Sequence, residues 1–148
     1  MDVLQTRTAE DEVRAAVTAF FEAAKRQDIT GIADGYAEDV VTYDAIGPVR
    51  FVGREAVVAH WQACFAMCQE GSMALRELRV EASGSVAFCS FLLDCGGVGP
   101  DGVRHEGTMR GTSCFRREVD GRWRIAHDHC SSPFDPMTGK VLCGPAPA

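Results

Sequence analysis

No run of apolar residues in this chain approaches the roughly 18 needed to span a membrane, and no cluster of five or more Lys and Arg occurs. The first absence argues against a helical membrane protein. The second argues against nucleic acid and against anionic membrane surfaces, because phosphate binding needs concentrated cations. The charge balance agrees: 15 Lys and Arg face 21 Asp and Glu, for a net charge of -6. The first residues, MDVLQTRTAEDE, lack the apolar core of a secretory signal, so the cytoplasm is the expected location. Histidine is scarce, with four residues. Cysteine is not scarce, but its seven positions fit no zinc-binding spacing. A disulfide framework would call for a secretory signal. The cysteines therefore read as small buried hydrophobes, with Cys64 and Cys68 on one helical face.

What is present reads as a soluble globular chain. Of 148 residues, 46% are apolar and 24% charged, enough for one domain with a real core. A single domain over 1–148 is expected, with a core at 9–133 and an irregular tail at 134–148. Thr8-Ala-Glu-Asp11 resembles a capping box ahead of the apolar stripe Val13, Val17, Phe20, Phe21, Ala24, which predicts a helix over about 9–26. Asp28 can cap a short second helix reaching Tyr36. The β-branched run from Val40 to Asp44 predicts a strand, and Arg50 to Val52 a short partner. A third helix is predicted over about 54–69, burying Val57, Trp61, Cys64, Phe65 and Cys68.

Four strands follow. In 73–82 the apolar parity switches, which predicts a bulge near Arg76-Glu77. The strand 85–95 is apolar on both parities, so both faces are expected to be covered. Gly96 to Gly102 reads as a loop, 103–118 as a long strand, Asp120-Gly121 as a hairpin turn, and 122–131 as the last strand.

Three stretches carry a family resemblance over roughly residues 9–133. They are Asp28-Ile-Thr-Gly-Ile-Ala-Asp-Gly-Tyr-Ala-Glu-Asp39, Gly53-Arg-Glu-Ala-Val57, and Asp120-Gly-Arg-Trp-Arg-Ile-Ala-His-Asp-His129 with Ser131. They resemble the nuclear transport factor 2-like superfamily, and within it the SnoaL-like (polyketide cyclase-like) and ketosteroid isomerase-like branch. The last stretch is similar also to the association domain of calcium/calmodulin-dependent kinases, a non-enzymatic relative. The resemblance implies an α+β fold: a cone-shaped, curved, mixed but mainly antiparallel sheet wrapped around three helices, enclosing a pocket. It also implies a homodimer through the outer sheet face.

The resemblance further implies roles for particular residues. Asp44 matches the general base of the isomerases, a carboxylate at the mouth of an apolar pocket. A turn-capping Asp would look the same in sequence. The two oxyanion-clamp positions of those isomerases fall on Phe20 and near Gly111, neither of which donates a side-chain hydrogen bond. Losing such donors costs on the order of 2.7–4 kcal/mol each. Tyr36 and Trp61 match pocket-lining positions. Strand alternation over 123–131 puts Trp123, Ile125, His127, His129 and Ser131 on one face and Arg124, Ala126, Asp128 and Cys130 on the other. The resemblance turns the second set toward the pocket, together with Ser113. A bulge would invert that assignment. Asp128 then becomes a second acid beside Asp44, with Tyr36 or His129 as donor. His127 and His129 could share a metal, with His105 or an acid completing the site, but two histidines are too few to be specific, and no metal or cofactor is expected. Cys130 as a nucleophile lacks a base on its own face. His60 sits on the third helix beside Trp61 and reads as partly exposed.

Two functions remain. One is a cofactor-independent enzyme moving protons on a small apolar carbonyl compound, by isomerisation, cyclisation or dehydration, with Asp44, Asp128 and His129 as catalytic residues. Its substrate would lie against Phe20, Tyr36, Trp61, Ser113 and Cys130. The other is a non-catalytic ligand-binding or oligomerisation module of the same fold.

Overall fold

A computed structural model describes residues 7–142. The chain forms α1 (Ala9–Lys25), α2 (Ile29–Gly35), β1 (Tyr36–Tyr43), β2 (Phe51–Val52), α3 (Arg54–Met67), β3 (Gln69–Ser83), β4 (Val86–Val98), β5 (Arg104–Arg117) and β6 (Trp123–Ser131). The capping box opens α1 as expected: the Thr8 hydroxyl accepts from the Asp11 N–H, and the Asp11 carboxylate accepts from the Thr8 N–H. The stripe from Val13 to Ala24 is buried. Asp28 caps α2 by accepting from the Gly31 N–H at 3.0 Å. At Gly35 a Cβ would lie 2.6 Å from the Phe20 ring, so only glycine lets α2 close over α1 there.

The six strands form one sheet in the order β2-β1-β6-β5-β4-β3. Every pairing is antiparallel except β1 with β6. An α+β fold with three helices and a mixed sheet is therefore present. The expected cone-shaped wrap is not. The sheet is open, with β2 and β3 at its two edges and no pairing between them. The strand β2 is only two residues long, too short to carry the ladder round to β3. The helices lie over the sheet instead of being encircled by it: α1 packs on β3 and β6, and α3 on β1 and β2.

The bulge in β3 forms where the parity switch placed it. One extra residue lies between Arg76 and Arg79, and Glu77 takes a φ of 54°. Met73 and Leu75 on one side of it, and Leu78, Val80 and Ala82 on the other, all join the same core. The expectation that both faces of β4 are covered fails. Cys89, Phe91 and Leu93 are buried under the helices, but Val86 and Phe88, of the other parity, are 58% and 50% exposed. Among the described residues no helix or strand crosses that outer face, so its apolar residues stay open. The strand also runs on to Val98, shortening the loop expected at Gly96. Among the described residues no helix is long and apolar enough to cross a membrane.

Candidate functional site

A cavity of about 590 Å³ lies between the helices and the core face of the sheet. Its body is apolar, with Phe20 and Phe21 of α1, Trp61 and Phe65 of α3, and Phe91 and Leu93 of β4. Sulfur lines much of the rest: Cys64, Cys68, Cys95, Cys130, Met67, Met73 and Met109. Its polar groups include Tyr36, Thr42, Asp44, His60, Ser113 and Asp128, and Lys25 of α1 adds a cation to the lining. A mostly apolar wall with a few convergent polar groups is the usual form of a small-molecule site. An open groove of about 640 Å³ also crosses the sheet at the β3 bulge, but none of the expected site residues lines it.

The last strand brings Asp128 and Cys130 into the cavity by a route that simple alternation misses. Phe115 pairs with Ile125, but its neighbour Cys114 pairs with His127, which leaves Ala126 as an extra residue in β6. This bulge inverts the parity of half the strand. Trp123 and Ile125 join the core on one side of it, while Asp128 and Cys130 face the cavity on the other. His127 and His129 point away. His127 Nδ1 donates to the Val41 carbonyl at 2.6 Å, and the exposed His129 meets the Tyr43 ring edge-on with centroids 5.7 Å apart.

Asp128 sits between buried Thr42 on β1 and buried Ser113 on β5. Burial pushes its carboxyl up to about 7, and the negative Asp44 adds to the rise. The Tyr36 hydroxyl opposes it, and no cation is among the groups acting on Asp128. Tyr36 is 2% exposed and accepts from the Trp61 indole N–H at 2.9 Å. Burial, then Asp128, holds the Tyr36 phenol well above its ordinary range, so it keeps its proton. Trp61 and Tyr36 thus form a hydrogen-bonded pair in an apolar wall, with the Asp128 carboxyl near enough to act on the Tyr36 phenol. The same burial pushes the Cys130 and Cys95 thiols up to about 12 and about 11. They are neutral wall atoms rather than nucleophiles.

Asp44 follows directly on β1. Its Oδ1 accepts from the Ala45 N–H at 2.6 Å, and its Oδ2 hydrogen-bonds His60 Nε2 on α3. The His60 ring stacks on Phe51, with centroids 4.2 Å apart and planes at 24°. Its side chain is only 14% exposed. His60 is partly exposed, as expected, but its pairing with Asp44 was not foreseen. The signal was its spacing: Val57, His60 and Cys64 recur at helical intervals on the buried side of α3.

The structure thus brings Phe20, Tyr36, Asp44, Trp61, Ser113, Asp128 and Cys130 to one cavity, leaves His129 outside it, and adds His60. The clamp positions stay empty of donors. Phe20 packs edge-on against Tyr36 and Trp61. Gly111 lies under the Phe91 ring, where even a Cβ would come within 2.3 Å. Among the described residues no group of three or more His, Cys, Asp and Glu side chains is placed to hold a metal ion.

The model of the SnoaL-like domain family matches residues 13–135. An NTF2-like protein of unknown function from Pseudomonas putida KT2440 is 37% identical, with a TM-score of 0.84 over 94% of this chain and 96% of that one. A ketosteroid isomerase-like protein from Erwinia carotovora atroseptica SCRI1043 is 22% identical, with a TM-score of 0.73 over 84% of this chain and 97% of that one. An NTF2-like superfamily protein from Salmonella enterica serovar Typhimurium LT2 is 16% identical, with a TM-score of 0.77 over 90% of this chain and 96% of that one. No curated protein matches the chain. The chain belongs to the SnoaL-like family of the NTF2-like superfamily.

Proposed function

We propose that this SnoaL-like chain is a cofactor-independent enzyme that transfers protons on a small, neutral, mostly apolar carbonyl compound. One observation carries the reading. Asp128 faces an apolar cavity with its carboxyl raised to about 7, and the same cavity holds a second carboxylate, Asp44, hydrogen-bonded to His60. A carboxyl raised by burial beside a second carboxyl paired with an imidazole supplies an acid arm and a basic arm in one cavity. Asp128 is the acid, donating to the carbonyl oxygen as the adjacent C–H proton leaves. Tyr36 supports it. The Asp44–His60 pair is the basic arm. A neutral Asp128 on the last strand takes over the task of the donors absent at Phe20 and Gly111. Phe20, Trp61, Ser113 and Cys130 form the wall against which the substrate lies.

The open outer face of the sheet supports a homodimer, since Val86 and Phe88 gain cover there from a second copy. The alternative is a binding module without chemistry, and the missing clamp donors favour it. Deuterium exchange separates the two. The protein is incubated in heavy water with acetophenone, propiophenone and phenylacetone, and the protons beside each carbonyl are followed by NMR. Exchange above the buffer rate that is lost in Asp128→Asn supports the enzyme. Thermal stabilisation by these ketones without exchange supports the binding module.

A further inference from the structure

We infer that the group that takes the proton is Nδ1 of His60, with Asp44 as the residue that positions it. The inference rests on the proton-transfer reading of this cavity and assigns its basic arm.

The family likeness points to Asp44 as the base, but the geometry commits both Asp44 oxygens. Oδ1 accepts from the Ala45 N–H, and Oδ2 bonds His60. Each oxygen keeps a second lone pair, but one lone pair on each is already taken up by Ala45 or His60. Among the described residues, Nδ1 of His60 has only the Cys64 sulfur near it, at 4.0 Å. An ionised carboxylate only accepts, so the neutral imidazole carries its hydrogen on Nε2, toward Asp44. That leaves the lone pair on Nδ1. The ring lines the cavity, and Phe51 fixes its plane by stacking. When Nδ1 gains a proton, the imidazolium is held by the adjacent Asp44 carboxylate, so the developing charge forms beside its counter-ion.

A third group stands close by. Cys64 Sγ lies 3.8 Å from Nε2 and 4.0 Å from Nδ1. A Cys–His–Asp nucleophile needs thiol and carboxylate on opposite nitrogens. Here the sulfur approaches closest to the nitrogen that Asp44 already holds. Burial and the negative Asp44 also hold the Cys64 thiol above its ordinary range. Cys64 is therefore a neutral neighbour, and the proton balance is simple. The C–H proton passes to His60 Nδ1, the electron pair moves into the carbonyl, and Asp128 supplies the proton on oxygen. The reverse transfers reset both groups when the product is reprotonated.

The test compares His60→Gln and Asp44→Asn in the same ketone exchange, with thermal melts to establish that each variant is folded. Imidazole nitrogen shifts are recorded alongside. The inference expects His60→Gln to lower exchange by about 100-fold or more. Asp44→Asn should lower it by roughly 10-fold, through loss of orientation. The nitrogen shifts should show Nε2–H with a bare Nδ1 in the wild type, and a mixture of tautomers in Asp44→Asn. Exchange that survives in folded His60→Gln but is lost in Asp44→Asn makes Asp44 the base and overturns the inference, leaving the proton-transfer reading intact. A wild type with its proton on Nδ1 overturns it also. A wild type that exchanges none of the ketones overturns the proton-transfer reading, and the nitrogen shifts then still decide how His60 is held.

Discussion

Asp44, just past the end of β1, and Asp128, on the neighbouring parallel strand β6, face one cavity, yet the fold treats them in opposite ways. Asp44 is met by a backbone N–H and an imidazole, one at each oxygen. Asp128 lies among aromatic, sulfur and hydroxyl groups, and beyond burial it is the like charge of Asp44 that raises its carboxyl. The lesson is that a residue type does not set a role; the donors around it do. One corner, where β1 meets α3, gives its carboxylate a hydrogen-bond partner at each oxygen. The other, on β6 against Tyr36, stabilises a neutral acid.

The largest effect that tests this contrast is on stability. Folded Asp128 keeps its proton up to about pH 7, while an ordinary carboxyl loses it near 3.8. Between those values the folded chain binds more protons than the unfolded one, so stability falls as pH rises. The contribution is full below about pH 4, is lost progressively to about pH 7 and is flat above. The loss is on the order of 4 kcal/mol. Urea unfolding across this range should show the fall in the wild type and its disappearance in Asp128→Asn. On the ketone assay the same variant should lose on the order of 2.7–4 kcal/mol of transition-state stabilisation. Wild-type exchange should decline as pH rises through 7, since the acid arm is then ionised.

Tyr36→Phe sharpens the contrast by touching one side only. It orphans the Trp61 N–H and should cost about 1–3 kcal/mol in urea unfolding. It also removes the hydroxyl that favours the ionised carboxyl, so the Asp128 midpoint should rise. Trp61→Phe leaves that hydroxyl in place and loses one hydrogen bond, worth about 1 kcal/mol. The smallest effect expected is on the thiols. Cys95 and Cys130 should resist iodoacetamide at pH 8 in the native protein and react on unfolding, as read by mass spectrometry.

Much of the fold was legible because it is local. The α1 stripe, the Thr8 cap, the Glu77 bulge and the Asp120-Gly121 turn are written in spacings of a few residues. The openness of the sheet was not legible, because it depends on how far β2 pairs, and two residues of strand leave no periodicity. The uncovered face of β4 was misread for a related reason: Val86 and Phe88 are as apolar as the buried Cys89 and Phe91, and only the placement of the helices separates them. In the site, Asp44 and Asp128 were reached by resemblance. The parity that brings Asp128 and Cys130 inward holds only beyond Ala126, an extra residue with no mark in the sequence. His60 was missed because its partner lies 16 positions away, across a turn and a strand.

The contrast between the two acids can be read in a carboxyl-carbon NMR titration of the Asp-labelled protein, with Asp44→Asn and Asp128→Asn used to assign the two signals. The account predicts that the Asp128 signal titrates near pH 7 and that its midpoint falls in Asp44→Asn, where the neighbouring negative charge is gone. An Asp128 signal that titrates near pH 4 and ignores Asp44 would contradict it, leaving the cavity with two anions and no acid arm.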